Sequence, residues 1–394
     1  RRPPQRLSTA LILGDILKKF FYKLYAFFFA LCRLLPVKRR RVCFVAPHNG
    51  GGHDSLSEMR RYIESVGGFE TVNVSGSDLR LDRSGGGAFL RSCLRALRFF
   101  TVGAKNLATS KFIFLNDNFM PMASLRFSDE AVITQLWHAE GAFKKFGLSA
   151  PLTDEVRRRE KACSARLDYV ICSSKNVAPV YAEAFGVDES KVLPLGSPRT
   201  DILLGRHDSD ELRCEFDRKH PECAGKKLVL YAPTFRDDPE YDGKLLKNLD
   251  VAEFNGRLGG THALLIKLHP QLNSGASLDG TVDVTSEDIG ALTMICDCVV
   301  TDYSSVCMDF ALLLKPCIFY AFDLAEYQKE RSFYYEYEGY VPGRVVTEFG
   351  KVLDEIQNPR DGQAQLRRFR DFNFDYIDCG SRKRIFDAVI SNNL

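Results

Sequence analysis

The sequence predicts an α/β protein made of two halves that face each other across a cleft, and three observations support this. A chain of 394 residues exceeds one ordinary hydrophobic core and suits two domains. Short runs of β-branched and aromatic residues alternate with helix-length segments, which is typical of βαβ units and parallel sheets. A polar, charge-rich stretch at 206–227 separates two sets of such runs, so we place the domain boundary there.

Residues 1–41 form an N-terminal arm of distinct composition. Leucine and aromatic side chains recur at helical spacing from Leu13 to Leu35, which predicts an amphipathic helix. Its longest uncharged stretch, Leu24–Cys32, is far shorter than the roughly 20 residues that span a bilayer. The basic run Lys38–Arg41 follows, so we expect the helix to lie on a membrane surface. The alternative is that this helix packs on the body of the protein.

The two halves, 42–205 and 206–360, carry the predicted strands, and 361–394 is predicted to form closing helices. The strands are Val42–Ala46, Thr71–Val74, Phe112–Leu115, Ala131–Trp137 and Tyr169–Cys172 in the first half, and Leu228–Tyr231, Ala263–Leu268, Cys298–Thr301 and Cys317–Tyr320 in the second. Ligands of open parallel sheets bind beyond the carboxyl ends of the strands. Functional side chains are therefore expected just after these runs.

Charge and cysteine content exclude several classes of protein. The net charge is +3, from 54 basic and 51 acidic residues, whereas a nucleic-acid binder usually has a strongly basic domain. The pair Cys296 and Cys298 lacks a second metal-type pair, and no HxE…CxxC arrangement of a zinc deaminase occurs. The twelve cysteines suit reduced thiols in a reducing compartment better than a disulfide scaffold. We expect no metal, no cofactor and no nucleic-acid partner.

A candidate base ends the fourth strand of the first half. His138 follows Trp137 and precedes small residues, so its imidazole can project into the cleft and take a proton from a hydroxyl. Lys144 and Lys145 follow and can attract an anionic substrate. The alternative is a histidine that is merely hydrogen-bonded within a turn.

Two basic side chains follow strands of the second half. Arg236 lies in the loop after Leu228–Tyr231 and suits bidentate phosphate recognition, or else a surface ion pair with a neighbouring aspartate. His269 precedes Pro270, which holds it extended at a strand end, where it can donate to a phosphate oxygen. The alternative is a buried structural histidine.

The segment Thr301–Ser305 precedes a predicted helix at Val306–Leu314. Ser304 and Ser305 can cap the backbone N–H groups of that helix, and the same groups can bind phosphate. For this segment alone, capping is sufficient. Taken with the other motifs, it predicts a base on one half facing a diphosphate cradle on the other, with no need for a metal.

The combined motifs resemble the CDP-glycerol glycerophosphotransferase family of teichoic acid polymerases and primases. The matching segments are Trp137-His138, 231–237 (YAPTFRD), His269-Pro270, 301–305 (TDYSS), 196–201 (GSPRTD), 315–324 (KPCIFYAFDL) and Pro342-Gly343. The resemblance covers about 42–345. It implies a GT-B fold of two Rossmann-like domains, an acceptor domain at 42–205 and a CDP-donor domain at 206–360, in a peripheral enzyme at the cytoplasmic face of the membrane.

The resemblance also assigns roles. His138 is the catalytic base on the acceptor hydroxyl, and His269 is the second catalytic histidine, beside the donor phosphates. The remaining predicted site residues are the donor phosphate or nucleotide ligands Arg236, Asp302, Ser304 and Ser305, and the acceptor or phosphate ligands Lys144 and Arg199. The loop Ala139–Phe143 departs from the commonest Gly-Thr-Pro form of the family and is similar to that of ribitol-phosphate polymerases.

The implied reaction is phosphoryl transfer. The acceptor is a lipid-linked polyol phosphate or glycan, whose hydroxyl oxygen attacks the β-phosphorus of CDP-glycerol and releases CMP. CDP-ribitol is the alternative donor. Two further alternatives are a GT-B glycosyltransferase that uses another nucleotide sugar, and a membrane-surface binding protein whose catalytic site has decayed.

Overall fold

A computed structural model describes residues 9–47, 54–80, 82, 84–234, 236, 244–268 and 278–394. Its core consists of two six-stranded sheets, in which all paired strands run parallel. Helices cover the sheets, as expected for parallel strands that are buried on both faces. The prediction of an α/β fold with two parallel-sheet halves is confirmed.

The first sheet has the strand order β2-β1-β3-β4-β5-β6. Its strands are β1 (Lys38–Ala46), β2 (Glu70–Ser75), β3 (Ser110–Leu115), β4 (Val132–Gln135), β5 (Tyr169–Cys172) and β6 (Val192–Pro194). The helices around it are α1 (Thr9–Cys32), α2 (Ser55–Val66), α3 (Gly86–Arg98), α4 (Ala104–Ala108), α5 (Asp154–Ser164), α6 (Ala178–Phe185) and α7 (Pro198–Gly205), and a π-helical turn, Phe99–Gly103, joins α3 to α4.

The second sheet has the order β12-β11-β10-β7-β8-β9. Its strands are β7 (Lys227–Ala232), β8 (His262–Ile266), β9 (Val282–Asp283), β10 (Cys298–Thr301), β11 (Cys317–Tyr320) and β12 (Gly343–Val346). The remaining helices are α8 (Ser209–Lys219), α9 (Val251–Leu258), α10 (Ile289–Ile295), α11 (Val306–Leu312), α12 (Leu324–Glu330), α13 (Tyr337–Tyr340), α14 (Phe349–Gln357), α15 (Gln363–Asn373) and α16 (Ser381–Ile385). Helix α8 lies within the stretch predicted as the domain boundary.

Each predicted strand coincides with an observed one, but three observed strands were not predicted. These are β6, β9 and β12, and all three lie at sheet edges. An edge strand packs against a single neighbour, so it needs few apolar residues, and the two-residue β9 is shorter than any strand pattern can reveal. Strand β4 ends at Gln135 rather than at Trp137, because Trp137 leaves the extended conformation with a φ of 59°.

The N-terminal helix packs on the first half along one face. Tyr25 and Phe29 of α1 are buried, and the Tyr25 ring lies 4.9 Å from that of Phe99 in the π-helical turn. The alternative that this helix packs on the body therefore holds for its inner face. In the part of the chain that the structure describes, no helix has the length and apolarity to cross a bilayer.

The basic run after α1 is a part of the sheet. Strand β1 begins at Lys38, so the predicted arm boundary at 41/42 falls inside a strand. Arg41 is buried and donates to Thr109 Oγ1 at 2.5 Å and to Glu70 Oε1 at 2.6 Å. The side chains of Lys38, Arg39 and Arg40 remain exposed. Of the four residues of this run, these three can meet an anionic surface.

The C-terminal segment connects the two halves. Leu366 and Phe369 of α15 join the core of the second sheet. The chain then returns to the first sheet, where Ile385 of α16 and Ile390 of the following π-helical turn are fully buried. Residues 361–394 thus form helices that close the molecule across its two halves.

Candidate active site

The predicted base lies at a strained turn after β4. Trp137 is buried with a φ of 59°, a conformation that costs free energy for a residue other than glycine. The backbone N–H of Trp137 donates to Gln135 Oε1 at 3.0 Å, and its indole lies 4.1 Å from the imidazole of His138. The side chain of His138 is 51% exposed. The turn therefore exposes the imidazole of His138 to solvent while the ring packs against the buried indole of Trp137.

The contacts of His138 fix its tautomer. Its Nδ1 lies 3.2 Å from the carbonyl oxygen of Asn116 and 3.9 Å from Asp117 Oδ2. A carbonyl oxygen only accepts hydrogen bonds, so Nδ1 carries the proton and Nε2 keeps its lone pair. An imidazole held in this way can accept a proton from a hydroxyl at Nε2. The alternative role of His138, a hydrogen bond within the turn, is therefore present, but this bond involves only Nδ1 and leaves Nε2 for proton transfer.

Arg236 holds the loops of the second half together. Its guanidinium donates to Asp323 Oδ2 at 2.9 Å, to Asp302 Oδ2 at 2.8 Å and to the carbonyl of Thr234 at 2.7 Å. Burial alone would lower the pKa of Arg236, but the charges of Asp302 and Asp323 raise it above the ordinary value. The side chain is buried and its partners follow β7, β10 and β11. Arg236 therefore organises this edge of the sheet, and direct phosphate binding by it stays a prediction.

Asp302 and the two serines after it have different environments. Asp302 is buried, and its Oδ1 accepts from the backbone N–H groups of Thr234 at 2.7 Å and Tyr303 at 2.5 Å. Ser304 Oγ accepts from the N–H of Val306 at 3.3 Å, a long capping contact. Ser305 precedes α11, is exposed, and makes no side-chain cap to that helix. Asp302 thus shapes the loop, whereas the Ser305 hydroxyl faces outward at the strand end, where a donor phosphate is predicted.

Lys144 reaches from the first half to the second. The backbone N–H of Lys145 donates to the carbonyl of Ser332 at 2.8 Å, and Lys144 forms an antiparallel bridge with Phe333. Burial, helped by the nearby charges of Arg331 and Arg236, lowers the pKa of Lys144 to about 8, while the charge of Asp302 opposes the shift. The structure therefore brings Lys144 together with Arg236 and Asp302.

Arg199 lies at the junction of the halves. It lies in the first turn of α7 in the first half and contacts Glu140, in the loop after His138, and Asp309, in α11 of the second half. Both carboxylates are buried. These contacts place Arg199 beside the candidate site, and a role as an acceptor or phosphate ligand stays a prediction.

Two residues of the predicted motifs lie outside the described chain, and three residues beside the site were not predicted. His269 and Pro270 lie outside the described residues. Sequence reasoning missed Asn116 and Asp117, which orient His138, although both directly follow β3, where functional side chains are expected. It also missed Asp323, which follows β11 within the segment 315–324. The strand-end rule applied to every strand would have identified all three.

All twelve cysteines are free thiols. Burial raises the pKa of Cys43 and of Cys172 to about 12, which keeps these thiols protonated and unreactive at neutral pH. Within the described ranges, no group of three or more histidine, cysteine, aspartate or glutamate side chains can hold a metal ion.

Comparison with known proteins agrees with the resemblance. A family model described as CDP-glycerol:poly(glycerophosphate) glycerophosphotransferase matches residues 27–391. A teichoic acid poly(ribitol-phosphate) polymerase of Bacillus spizizenii is 30% identical over 98% of this chain and 61% of its own length. A teichoic acid ribitol-phosphate primase of the same organism is 35% identical over 73% of this chain and 76% of its own length. A teichoic acid glycerol-phosphate primase of Bacillus subtilis is 29% identical over 71% and 73%. The chain thus spans less than two thirds of the first of these relatives.

Solved structures show the same architecture. A variant of the wall teichoic acid polymerase TagF superposes with a TM-score of 0.76 at 21% identity, over 98% of this chain and 99% of that one. A UDP-GlcNAc 2-epimerase from Neisseria meningitidis superposes with a TM-score of 0.58 at 13% identity, over 89% and 100%. At these identities the likeness concerns the fold alone. It confirms the predicted GT-B fold of two Rossmann-like domains.

Proposed function

We propose that this chain, which belongs to the CDP-glycerol:poly(glycerophosphate) glycerophosphotransferase family, transfers a polyol phosphate from a CDP-activated polyol to an acceptor hydroxyl in teichoic acid synthesis. The observation that carries the proposal is the state of His138. Its Nδ1 is committed to the Asn116 carbonyl, its Nε2 is available, and its side chain is half exposed at the end of β4. This is the arrangement that a general base on a hydroxyl requires.

The proposed step is an in-line displacement at the β-phosphorus. Nε2 of His138 takes the proton of the acceptor hydroxyl while its oxygen forms a bond to phosphorus. The bond from phosphorus to the bridging oxygen breaks, and CMP leaves with the electron pair. Lys144 and the hydroxyls of Ser304 and Ser305 stabilise the negative charge on the phosphates, together with His269 as the resemblance implies. General base catalysis of this kind contributes about 10²- to 10⁴-fold in rate.

Two donors fit the proposal. CDP-glycerol is the donor that the family description implies. CDP-ribitol is the second candidate and has specific support, because the ribitol-phosphate primase is 35% identical to this chain and the Bacillus subtilis glycerol-phosphate primase 29%. The form of the loop Ala139–Phe143 also favours ribitol.

The test combines donor binding with product release. Calorimetric titration with CDP-glycerol, CDP-ribitol and UDP-glucose identifies the donor, and CMP release in the presence of a synthetic polyol-phosphate lipid measures transfer. We expect His138→Asn to bind the donor normally and to lose CMP release by about 10²-fold or more. We expect Ser305→Ala to weaken donor binding.

The matched control is His262→Asn. His262 begins β8, at the opposite end of a strand from the site, and its Nδ1 contacts Thr261. This variant should transfer at the wild-type rate. Absence of binding to either CDP-polyol, preference for UDP-glucose, or unchanged CMP release in His138→Asn would each refute the proposal.

We further propose that the protein is peripheral at the cytoplasmic face of the membrane, where a lipid-linked acceptor resides. Two helices of the first half carry exposed apolar side chains: Phe20, Phe27 and Leu31 in α1, Leu34 and Leu35 just after it, and Phe89, Leu90, Leu94 and Leu97 in α3. Basic residues lie on α3 among them (Arg91, Arg95 and Arg98). Apolar faces flanked by basic side chains suit an anionic bilayer interface.

Flotation with vesicles tests this proposal. We expect the protein to float with phosphatidylglycerol vesicles and to lose this binding in the variant Leu90→Glu/Leu94→Glu. The control is Ile377→Glu, because Ile377 is also exposed but belongs to the C-terminal segment. Undiminished flotation of the α3 double variant, or equal loss in the control, would contradict a docking role for this surface.

A further inference from the structure

One guanidinium connects the two halves of the candidate site. Nη1 of Arg199 lies 2.7 Å from Glu140 Oε2 and 3.0 Å from Asp309 Oδ1, and its Nη2 lies 2.5 Å from Asp309 Oδ2. Glu140 stands in the loop that presents His138. Asp309 stands in α11, one turn after Ser305. Residues that are 110 positions apart in sequence thus connect the loop after His138 to the helix after the serine pair.

Because the carboxylates of Glu140 and Asp309 are buried, they depend on their contact with Arg199. The side chains of Glu140 and Asp309 are almost completely buried, so each needs a counter-charge inside the protein. Burial alone would lower the pKa of Arg199, but the charges of Asp309 and Glu140 raise it above the ordinary value, so the guanidinium remains a cation. The other oxygen of Glu140, Oε1, accepts from Ser197 Oγ at 2.8 Å. Both oxygens of this carboxylate are therefore fixed.

The guanidinium geometry is specific to arginine. One planar fork contacts both oxygens of Asp309 and also reaches Glu140, which requires two nitrogen donors in a fixed relation. A lysine ammonium is a point charge, so it cannot contact both oxygens of Asp309 and also Glu140 in this fixed arrangement. Substitution by lysine thus keeps the charge and removes the geometry.

We propose that Arg199 is a positioning residue, which fixes the His138 loop against the helix that follows Ser304 and Ser305 and so sets the spacing between base and donor. The inference rests on the proposed phosphoryl transfer, in which an oxygen activated on one half must meet a phosphorus held on the other. Displacements of about 1 Å in such an arrangement can cost about 10²-fold in rate.

The experiment compares Arg199→Lys with a matched control, Arg382→Lys. Arg382 also contacts two buried carboxylates, Asp201 at 3.1 Å and Glu58 at 3.0 Å, and its side chain is 28% exposed against 24% for Arg199. Its partners lie on α7 and α2, within the first half. The control therefore weakens an arginine contact to two buried carboxylates that both belong to the first half.

Two readouts are measured on the full chain. The first is kcat and the KM for the CDP-polyol, from CMP release. The second is amide hydrogen exchange in peptides covering 139–146 and 304–312. We expect Arg199→Lys to lower kcat about 10- to 100-fold with little change in the donor KM, and to accelerate exchange in both peptides together. Asp309→Asn, which keeps the side-chain volume, should reproduce this pattern if Arg199→Lys does not fold. Arg382→Lys should leave both readouts unchanged.

The outcomes separate the inference from the proposed function. Wild-type kcat in a folded Arg199→Lys variant, or exchange that rises in only one of the two peptides, would overturn the positioning role. A large rise in the donor KM would also overturn it, because Arg199 would then be a ligand. A wild-type chain that transfers from neither CDP-polyol would refute the proposed function, while coupled exchange in the two peptides would still support the link through Arg199.

Discussion

Replacement of Gly141 by alanine measures how tightly the loop after His138 is held. Gly141 has a φ of 66°, in the left-handed region that side chains other than glycine disfavour. A Cβ at this position would lie 2.5 Å from Asn373 Oδ1 and 2.8 Å from Met308 Cε. Asn373 is fully buried, so its side chain cannot move aside without losing its own contacts.

The expected cost has two parts. Left-handed backbone costs an alanine about 1 kcal/mol. The Oδ1 of Asn373 accepts from the N–H of Ala142 at 3.1 Å and from the hydroxyl of Tyr340 at 2.8 Å. A shift that breaks these bonds leaves buried polar groups unpaired, at about 1–2 kcal/mol each. We therefore expect Gly141→Ala to lower the free energy of unfolding by about 3–5 kcal/mol.

Urea denaturation provides the measurement, with Gly225→Ala as the control. Gly225 has a φ of 72°, but a Cβ there would meet no atom within 4 Å, so this variant carries only the backbone cost. The difference between the two variants isolates the clash at the junction of the halves. If Gly141→Ala is no more destabilised than Gly225→Ala, the loop is not clamped against Asn373 and the reasoning is wrong. A clamped loop also predicts a lower rate of CMP release for Gly141→Ala.

Three further predictions concern charged groups. The pKa of Lys144 is about 8, so its positive charge disappears as the pH rises through that value. Donor affinity measured by calorimetry should therefore fall over the same pH range. In Lys144→Gln, donor affinity should not change with pH over this range. Arg236→Met leaves two buried carboxylates unpaired and should lower the free energy of unfolding by about 3–5 kcal/mol in urea, whereas a loss below 1 kcal/mol would contradict the network. Hydrogen bonds from Arg41 and Lys38 lower the pKa of Glu70 to about 2, below its ordinary value, so these contacts stabilise the fold at neutral pH and lose that contribution as the pH falls towards 2. In Glu70→Gln, the free energy of unfolding should lack this pH-dependent contribution. Identical acid-unfolding profiles of the variant and the wild type would exclude the contribution of Glu70.

The sequence allowed the core of the fold and the position of His138 after a strand to be predicted, for one physical reason. Interior parallel strands such as β3, β5 and β10 are buried on both faces, so each reads as a short apolar run. Their carboxyl ends lie at one edge of each sheet, which places His138 and Ser305 without further information. The edge strands carry weaker patterns because one side of each is unpaired.

The basic run shows where local patterns mislead. A run of four basic residues usually indicates a solvated or membrane-facing segment, and the sequence Lys38–Arg41 predicts such a segment. The fourth residue, Arg41 in β1, is instead buried, and its partner Glu70 in β2 compensates its charge. That partner is 29 positions away in sequence, so no reading of the run itself could identify it.

The same limit applies to the arginines of the site and bears on how the donor is attracted. A guanidinium fork fits a carboxylate as well as a phosphate, so a motif cannot tell which partner it has. In the structure, Arg199 and Arg236 each contact two buried carboxylates, so each cluster carries more negative than positive charge. Neither cluster alone can attract a diphosphate. We infer that the attraction comes from cations such as Lys144, which stands beside Asp302 and has the charge of Arg331 nearby. Loss of donor affinity above pH 8 would therefore be stronger evidence for the site than any effect of removing either arginine.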